Sequence, residues 1–315
     1  MVEASSSTIE PGAAIVLDGL QAKPSLNGRA GTVLDFDDES GRWGVALPKD
    51  ERPLGGDETK IKVKPENIRL HIKTPPTVPS SSLADSLHAR GFAVCDGLLE
   101  PDEADALMLL LLSLRDGLNK GDVAGGRAAS AYARITGQQM EPRGDLMRFL
   151  SAEDAMDHDA FIPVFRAMDA AVASLQASPF LANEWKRGES DEEMPQPLKR
   201  DEMQVTCYPG GGARYVRHVD NNTDNGRRVT CILYANPMWE DGDGGELRLY
   251  PTNGLPTDVV DVAPLHNRLV LFWSDARVPH EVLPSRVDRY ALSIWYEDPK
   301  PPGPVDDGSP YFLGE

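Results

Sequence analysis

The chain has 315 residues, 40% of them hydrophobic, with 50 acidic against 32 basic side chains and a formal net charge of −18. That length and apolar content support one sizeable packed domain plus a small one. A surface this acidic repels nucleic-acid phosphate and anionic membrane, so neither is expected as a direct partner. The three cysteines, Cys95, Cys207 and Cys231, are too widely spaced for a disulfide framework or a zinc pattern. They read as buried free thiols in a reducing compartment. The N-terminus has no basic segment followed by an apolar run, and the longest apolar stretch, Ala106–Leu112, falls far short of the roughly 20 residues that span a bilayer. The tail Tyr311–Glu315 is no retention or lipidation signal. The expected location is the cytosol or the nucleus.

In chain order, residues from about Pro11 to Ile72 read as short β-strands. The β-rich runs are Ala14–Leu17, Thr32–Phe36, Trp43–Leu47 and Lys60–Lys64, separated by turn signals at Asn27-Gly28, Asp37–Gly41 and Gly55-Gly56-Asp57. The run Gly28–Val33 resembles the strand start of a small SH3-like barrel, which makes residues 1–72 a β-rich module for partner binding or for packing on a neighbour. Residues 73–82, with three prolines and three serines, can hold neither a helix nor an interior strand and read as a linker.

Residues 83–315 form the main domain. Gly91–Cys95 reads as a buried strand. Glu100-Pro101-Asp102-Glu103 opens a helix from about Pro101 to Arg115, with proline in the first turn and acids at the N-terminus. Phe161, Val164, Phe165, Met168, Val172 and Leu175 recur at helical spacing and predict a second helix over about Ala160–Gln176. The intervening Gly121–Gly144 is rich in Gly, Ala and Ser and is expected to be a functional lid or an unstructured segment. Glu189–Glu193 reads as a solvated charged loop. From Glu202 to Asp298 strand-like runs recur at short intervals: Gln204–Tyr208, Arg228–Tyr234, Glu246–Tyr250, Arg268–Trp273 and Tyr290–Tyr296. This spacing predicts a β-sandwich or jelly roll, and two helices ahead of it make the domain α+β.

The most chemically informative residues are His218 and Asp220 in Tyr215–Asn221, and His280 in Val278–Val282. An i, i+2 pair on a strand projects to one face. A histidine from a neighbouring strand completes a two-His, one-carboxylate cap with open positions opposite, the arrangement associated with non-haem Fe(II) oxygenases. By context all three are expected near strand starts, at a barrel mouth; His71, His88, His158 and His266 are expected to be ordinary residues. Arg289 follows His280 by nine residues, so a hairpin would place the two on adjacent strands. Period-two alternation puts Ala291, Ser293 and Trp295 on the face that Arg289 uses. An inward arginine there calls for an anion, and a dicarboxylate read bidentately is expected. Ile232 and Tyr234 share a face, from which the Tyr234 hydroxyl can reach the same carboxylate.

Taken together, Cys207-Tyr-Pro-Gly210, Tyr215–Asn221, Val229–Ile232, Gly244-Gly245, Leu269–Asp275, Pro279–Val282 and Arg289–Tyr296 closely resemble the hypoxia-inducible-factor prolyl hydroxylases, over about residues 83–298. Arg143-Gly-Asp145 resembles the end of that family's mobile substrate-covering loop. The resemblance implies a double-stranded β-helix, with His218, Asp220 and His280 binding Fe(II). It implies that Arg289 pairs with the distal carboxylate of 2-oxoglutarate, assisted by Tyr234, in a pocket lined by Tyr208, Ile232, Leu247 and Trp295. Asp145, Arg217 and Arg227 are implied near the iron or the peptide entrance. The implied reaction couples O₂ and the decarboxylation of 2-oxoglutarate to succinate with hydroxylation of a peptidyl proline at C4, with ascorbate in support. The implied partner of a monomeric enzyme is a proline-containing protein: a ubiquitin-ligase adaptor, a transcription factor or a translation factor. The chain departs from the animal members in carrying the β-rich module instead of a cysteine-rich one, in Leu233, where a second tyrosine is usual, and in the 121–144 segment. Two other readings compete. One is an oxygenase of the same chemistry acting on a ribosomal protein or a small molecule. The other is a non-catalytic scaffold.

Overall fold

A computed structural model describes residues 9–48, 59–73, 75–121, 143–185, 197–221, 225–252 and 258–298. The turn at 55–57, most of the 121–144 segment, the acidic run 189–193 and the tail 311–315 lie outside the described residues. The N-terminal strands are β1 (Ala14–Leu17), β2 (Ala30–Asp37), β3 (Arg42–Leu47), β4 (Thr59–Val63) and β5 (Ile68–Ile72). The β2–β3 turn forms where Asp37 accepts hydrogen bonds from the amides of Glu39 and Ser40 and Gly41 adopts φ +63°. These strands pair in the order β5-β1-β2-β3-β4 around a core of their own that includes Ile15, Leu17, Val33, Val45 and Ile68. The pairing does not show a closed SH3-like barrel, because β4 and β5 stand at opposite ends of the run.

Four helices follow: α1 (Leu83–Arg90), α2 (Pro101–Leu114), α3 (Ala152–Met156) and α4 (Phe161–Ala177). α2 begins as expected, with Pro101 in the first turn and reciprocal capping between Glu100 and Glu103. It passes into a 3-10 turn at Arg115, one residue short of the expected end. All six apolar residues that predicted α4 are buried in the main core, each worth about 1.5–3 kcal/mol of burial. α1 gave no sequence signal because it is only eight residues long; it stops at Gly91, whose φ of +80° lets its amide reach Leu87.

Eight strands make the body of the domain: β9 (Lys199–Tyr208), β10 (Ala213–His218), β11 (Arg227–Tyr234), β12 (Leu247–Leu249), β13 (Asp258–Val262), β14 (Arg268–Trp273), β15 (His280–Ser285) and β16 (Arg289–Glu297). They fall into two sheets ordered β14-β11-β16-β9 and β10-β15-β12-β13, the arrangement of a double-stranded β-helix. β6 (Phe92–Asp96), β7 (Asn119–Lys120) and β8 (Leu146–Leu150) extend the first sheet. The second sheet is extended by the N-terminal strands, because β5 pairs in parallel with β13, Val259 facing His71. The edge of β13 is thereby covered.

A buried ion cluster fastens that junction. Asp261 on β13 accepts two hydrogen bonds from Arg248, at 2.7 and 2.8 Å, and lies 2.7 Å from the His71 ring on β5. Burial raises the carboxyl pKa of Asp261, but Arg248 and His71 outweigh it and hold the group down to about 2. A carboxylate depressed in the fold stabilises it above the ordinary value near 4 and loses that contribution as pH falls toward 2. Asp261→Asn should therefore lose about 3 kcal/mol at neutral pH, the scale of breaking a buried pair from one side. In urea titrations the gap from the parent should close below about pH 4; a gap independent of pH would show that the charge contributes nothing.

Candidate active site

His218, Asp220 and His280 come together, with one ligand atom from each within 4.8 Å of the others. Both imidazole Nε2 atoms lie 3.7 Å from Asp220 Oδ1. His218 Nδ1 lies 2.8 Å from the Val216 carbonyl and His280 Nδ1 lies 3.1 Å from that of Val278. Those carbonyls only accept, so each Nδ1 carries a proton and each Nε2 faces the carboxylate. Thr230 on β11 donates to Asp220 Oδ2 at 2.7 Å, which leaves Oδ1 for the shared corner. Burial, followed by the charge of His280, pushes the His218 pKa well below its ordinary value, so its imidazole is neutral at pH 7. Burial raises the pKa of Asp220, but the two histidines and Thr230 outweigh it and keep the group ionised. A neutral imidazole beside a carboxylate is the protonation state that a divalent cation requires.

The strand positions differ from expectation. His280 starts β15, but His218 ends β10 and Asp220 lies beyond it in a turn that Asn221 fastens to Ser274 at 2.8 Å. Along the β10–β15 ladder Tyr215 faces Val282 and His218 faces His280, so three steps on β10 match two on β15. That β-bulge turns Tyr215 and His218 to the same side, where their rings stack 3.8 Å apart. The bulge also turns Arg217 outward. Its guanidinium pairs with Asp18 at 3.0 Å and covers Tyr250, so the expected place near the iron or the peptide is not where the side chain lies.

Arg289 and His280 are not hairpin neighbours, because β15 and β16 belong to opposite sheets. They face each other across a cavity of about 150 Å³ whose walls include Tyr208, Ile232, Leu247, Trp295 and Arg227. The predicted inward face of β16 holds, with Arg289, Ala291, Ser293 and Trp295 all lining the cavity. Arg289 is 2% exposed, and its Nε donates to the Gly245 carbonyl at 2.8 Å. Gly245 has φ +77°, and a Cβ there would meet Ser285 Oγ at 2.9 Å and Arg289 Cδ at 3.1 Å, so the arginine's approach needs glycine. The guanidinium lies 4.8 Å from the ring centres of both Tyr208 and Tyr234. Arg289 Nη2 and the Tyr234 hydroxyl are buried without a protein partner among the described residues. Such orphaned donors cost about 1–3 kcal/mol each unless a ligand meets them, and a carboxylate meets both. Arg227 lies over the Trp295 ring at 4.1 Å and donates to Asp201 at 3.1 Å.

Asp145 is fully buried and held by two 2.6 Å bonds from Arg143, so it is Arg143 that reaches the cavity wall, over the Tyr215 ring at 4.5 Å. Arg143, Tyr215 and Thr230 are the site residues that sequence reasoning did not single out. Thr230 was within reach, since it alternates with Ile232 and Tyr234. Tyr215 was hidden by the bulge.

A family model for the 2OG-Fe(II) oxygenase superfamily matches residues 203–297. The mouse protein "Prolyl hydroxylase EGLN3" is 50% identical over 101 residues, 32% of this chain and 41% of its own length. A Caenorhabditis elegans hypoxia-inducible factor prolyl hydroxylase is 48% identical over 100 residues, 31% of this chain and 14% of its own. The chain thus spans less than half of these curated relatives. Among solved structures, a Trichoplax adhaerens prolyl hydroxylase in complex with a hypoxia-inducible-factor oxygen-degradation-domain peptide matches with a TM-score of 0.55 and 29% identity, over 70% of this chain and 89% of that one. A Pseudomonas putida prolyl-4-hydroxylase matches with a TM-score of 0.53 and 27% identity, over 70% and 99%. The His–Asp–His corner and the orphaned donors of Arg289 and Tyr234 fit Fe(II) and 2-oxoglutarate. This chain therefore carries a 2-oxoglutarate- and Fe(II)-dependent oxygenase domain related to the hypoxia-inducible-factor prolyl hydroxylases.

Proposed function

We propose that this protein is a prolyl 4-hydroxylase acting on a proline-containing protein. One juxtaposition carries the reading: the His218–Asp220–His280 corner and Arg289, whose Nη2 has no protein partner among the described residues, share a single cavity of about 150 Å³. That volume is below the ~300–1,000 Å³ of sites for drug-sized ligands. It suits a small dianion, so the peptide itself would lie across the mouth with the proline ring inserted.

When bound, Fe(II) with 2-oxoglutarate and O₂ supplies the oxidising power, yielding succinate and CO₂ as one oxygen atom enters C4 of the proline. The residues of the chain orient that chemistry. His218, Asp220 and His280 hold the metal on one side. Arg289 receives the distal carboxylate, the Tyr234 hydroxyl donates to it, and Tyr208, Ile232, Leu247 and Trp295 exclude water around the aliphatic stem. Arg227 and Arg143, fixed by Asp201 and Asp145, form cationic points on the rim for peptide contact. The bound peptide named for the Trichoplax relative supports a peptidyl rather than a free proline. The separate apolar core of β1–β5 supports reading residues 1–72 as an SH3-like module, joined through 73–82 to an oxygenase domain over 83–315.

Succinate release should depend on Fe(II), 2-oxoglutarate and a proline-bearing protein together, and Asp220→Ala should abolish it. In cell extract, mass spectrometry should find a 16 Da gain, about one oxygen atom, on a proline after treatment with the parent enzyme and not with His280→Ala. Turnover by Asp220→Ala would refute the metal assignment, and succinate coupled only to a small molecule would refute the protein target. Arg289→Lys replaces a planar fork by a point charge. It should raise KM for 2-oxoglutarate roughly 10- to 100-fold with a smaller change in KM for peptide; an unchanged KM would move the cosubstrate elsewhere.

A further inference from the structure

The sheet that bears the metal corner has a second face, and the N-terminal strands cover it. On β10, β15 and β12 the inward residues His218, His280 and Leu247 line the cavity, while their sequence neighbours Arg217, Glu281 and Arg248 contact residues on the other side. Arg248 Nη1 donates to the Gly28 carbonyl at 2.6 Å, and Tyr250 donates to Glu281 at 2.5 Å. Val16 of β1 packs with Tyr250 and Val259 in a small apolar cluster. Asp18, just after β1, stands between two guanidiniums, Arg217 at 3.0 Å and Arg69 at 2.9 Å.

β10 needs such an anchor. It is the end strand of its sheet, with β15 its one ladder partner among the described residues and its other edge held by an isolated bridge from Arg143 to Tyr215, beside which the Gly144 amide donates to the Arg214 carbonyl at 2.8 Å, and its register breaks twice within six residues. The second break lies between Tyr215 and His218, where Arg217 itself sits. A bulged end strand is the least constrained element on which to mount a ligand that must hold its geometry within about 0.5 Å. The Arg217 side chain ties the strand to the N-terminal strands through Asp18, and its Nε has no protein partner among the described residues.

We propose that Asp18 is a positioning residue for the metal centre, and that β1–β5 act as a brace which fixes the bulge of β10 and hence His218. The inference rests on the metal reading above. It gives the N-terminal strands a role inside the catalytic domain.

The test uses the full chain and its Asp18→Ala, Asp18→Asn and Asp18→Glu variants, with Asp38→Ala on the exposed β2–β3 turn as control. Co(II) titration followed by visible absorption reports the site, and hydrogen exchange of metal-free protein reports the strands. Asp18→Ala should bind Co(II) about tenfold more weakly, the lower end of what outlying partners of metal ligands contribute. The amides of residues 213–218 should exchange faster while those of β11 and β14 do not. Asp18→Asn should fall in between, Asp18→Glu should recover most of the affinity, and Asp38→Ala should match the parent. Parental Co(II) affinity and exchange in Asp18→Ala would overturn the brace, as would faster exchange spread evenly over both sheets. A parent chain that takes up no Co(II) would instead fail the metal reading, and the inference with it.

Discussion

His218 meets His280 and Asp220 only because β10 gains one residue against β15. Without that residue, strict alternation would send either Tyr215 or His218 to the far side of the sheet. With it, the tyrosine ring stacks on the imidazole, the Val216 carbonyl takes the Nδ1 proton, and Nε2 faces Asp220. The opposite sheet then adds Thr230, which occupies one carboxylate oxygen and leaves the other for the corner. The orientation of every ligand atom is thus set by a backbone irregularity and a few fixed hydrogen bonds before any cation arrives.

The same preorganisation governs the other end of the cavity. Arg289 enters a buried position because Gly245 leaves room for its stem and offers a carbonyl to Nε. Two tyrosine faces flank the guanidinium, so its charge is partly met by aromatic electron density. What remains unmet, one guanidinium nitrogen and one phenol, is directional and suits a carboxylate. The −18 net charge of the chain makes such an enclosed cation more selective for a small anion that can fit, because the outer surface offers anions little else to bind.

Much of this was legible in residue patterns. Helical spacing located α4, the cap at Glu100–Glu103 located α2, and alternation placed Ala291, Ser293 and Trp295 beside Arg289. The His218, Asp220 and His280 set was recognisable from residue type and context. What escaped were properties that depend on the third dimension. A bulge leaves no periodic trace, so neither the stacking of Tyr215 on His218 nor the outward turn of Arg217 can be read from residue spacing. The short gap between His280 and Arg289 looked like a hairpin, because loop length does not say whether the chain crosses to the other sheet. Asp145 was expected near the iron or the peptide entrance, but it is buried under the bidentate grip of Arg143, and Arg143 lines the cavity.

The proline- and serine-rich stretch at 73–82 illustrates the difference between a linker in sequence and a boundary in structure. Composition there predicts neither helix nor strand, yet Ser80–Ser82 form a 3-10 turn that leads into α1, and Val78 donates to the Val94 carbonyl at 2.8 Å, so the chain is pinned to β6 as it passes. Just upstream, β5 joins β13 by a parallel ladder, and His71 enters the Arg248–Asp261 cluster. Removing the N-terminal strands would expose the edge of β13, leave two buried charges short of a partner, and free the outer face of β10. A partner that bound those strands at their far end, β4, would therefore touch the same continuous sheet that carries His218 and His280.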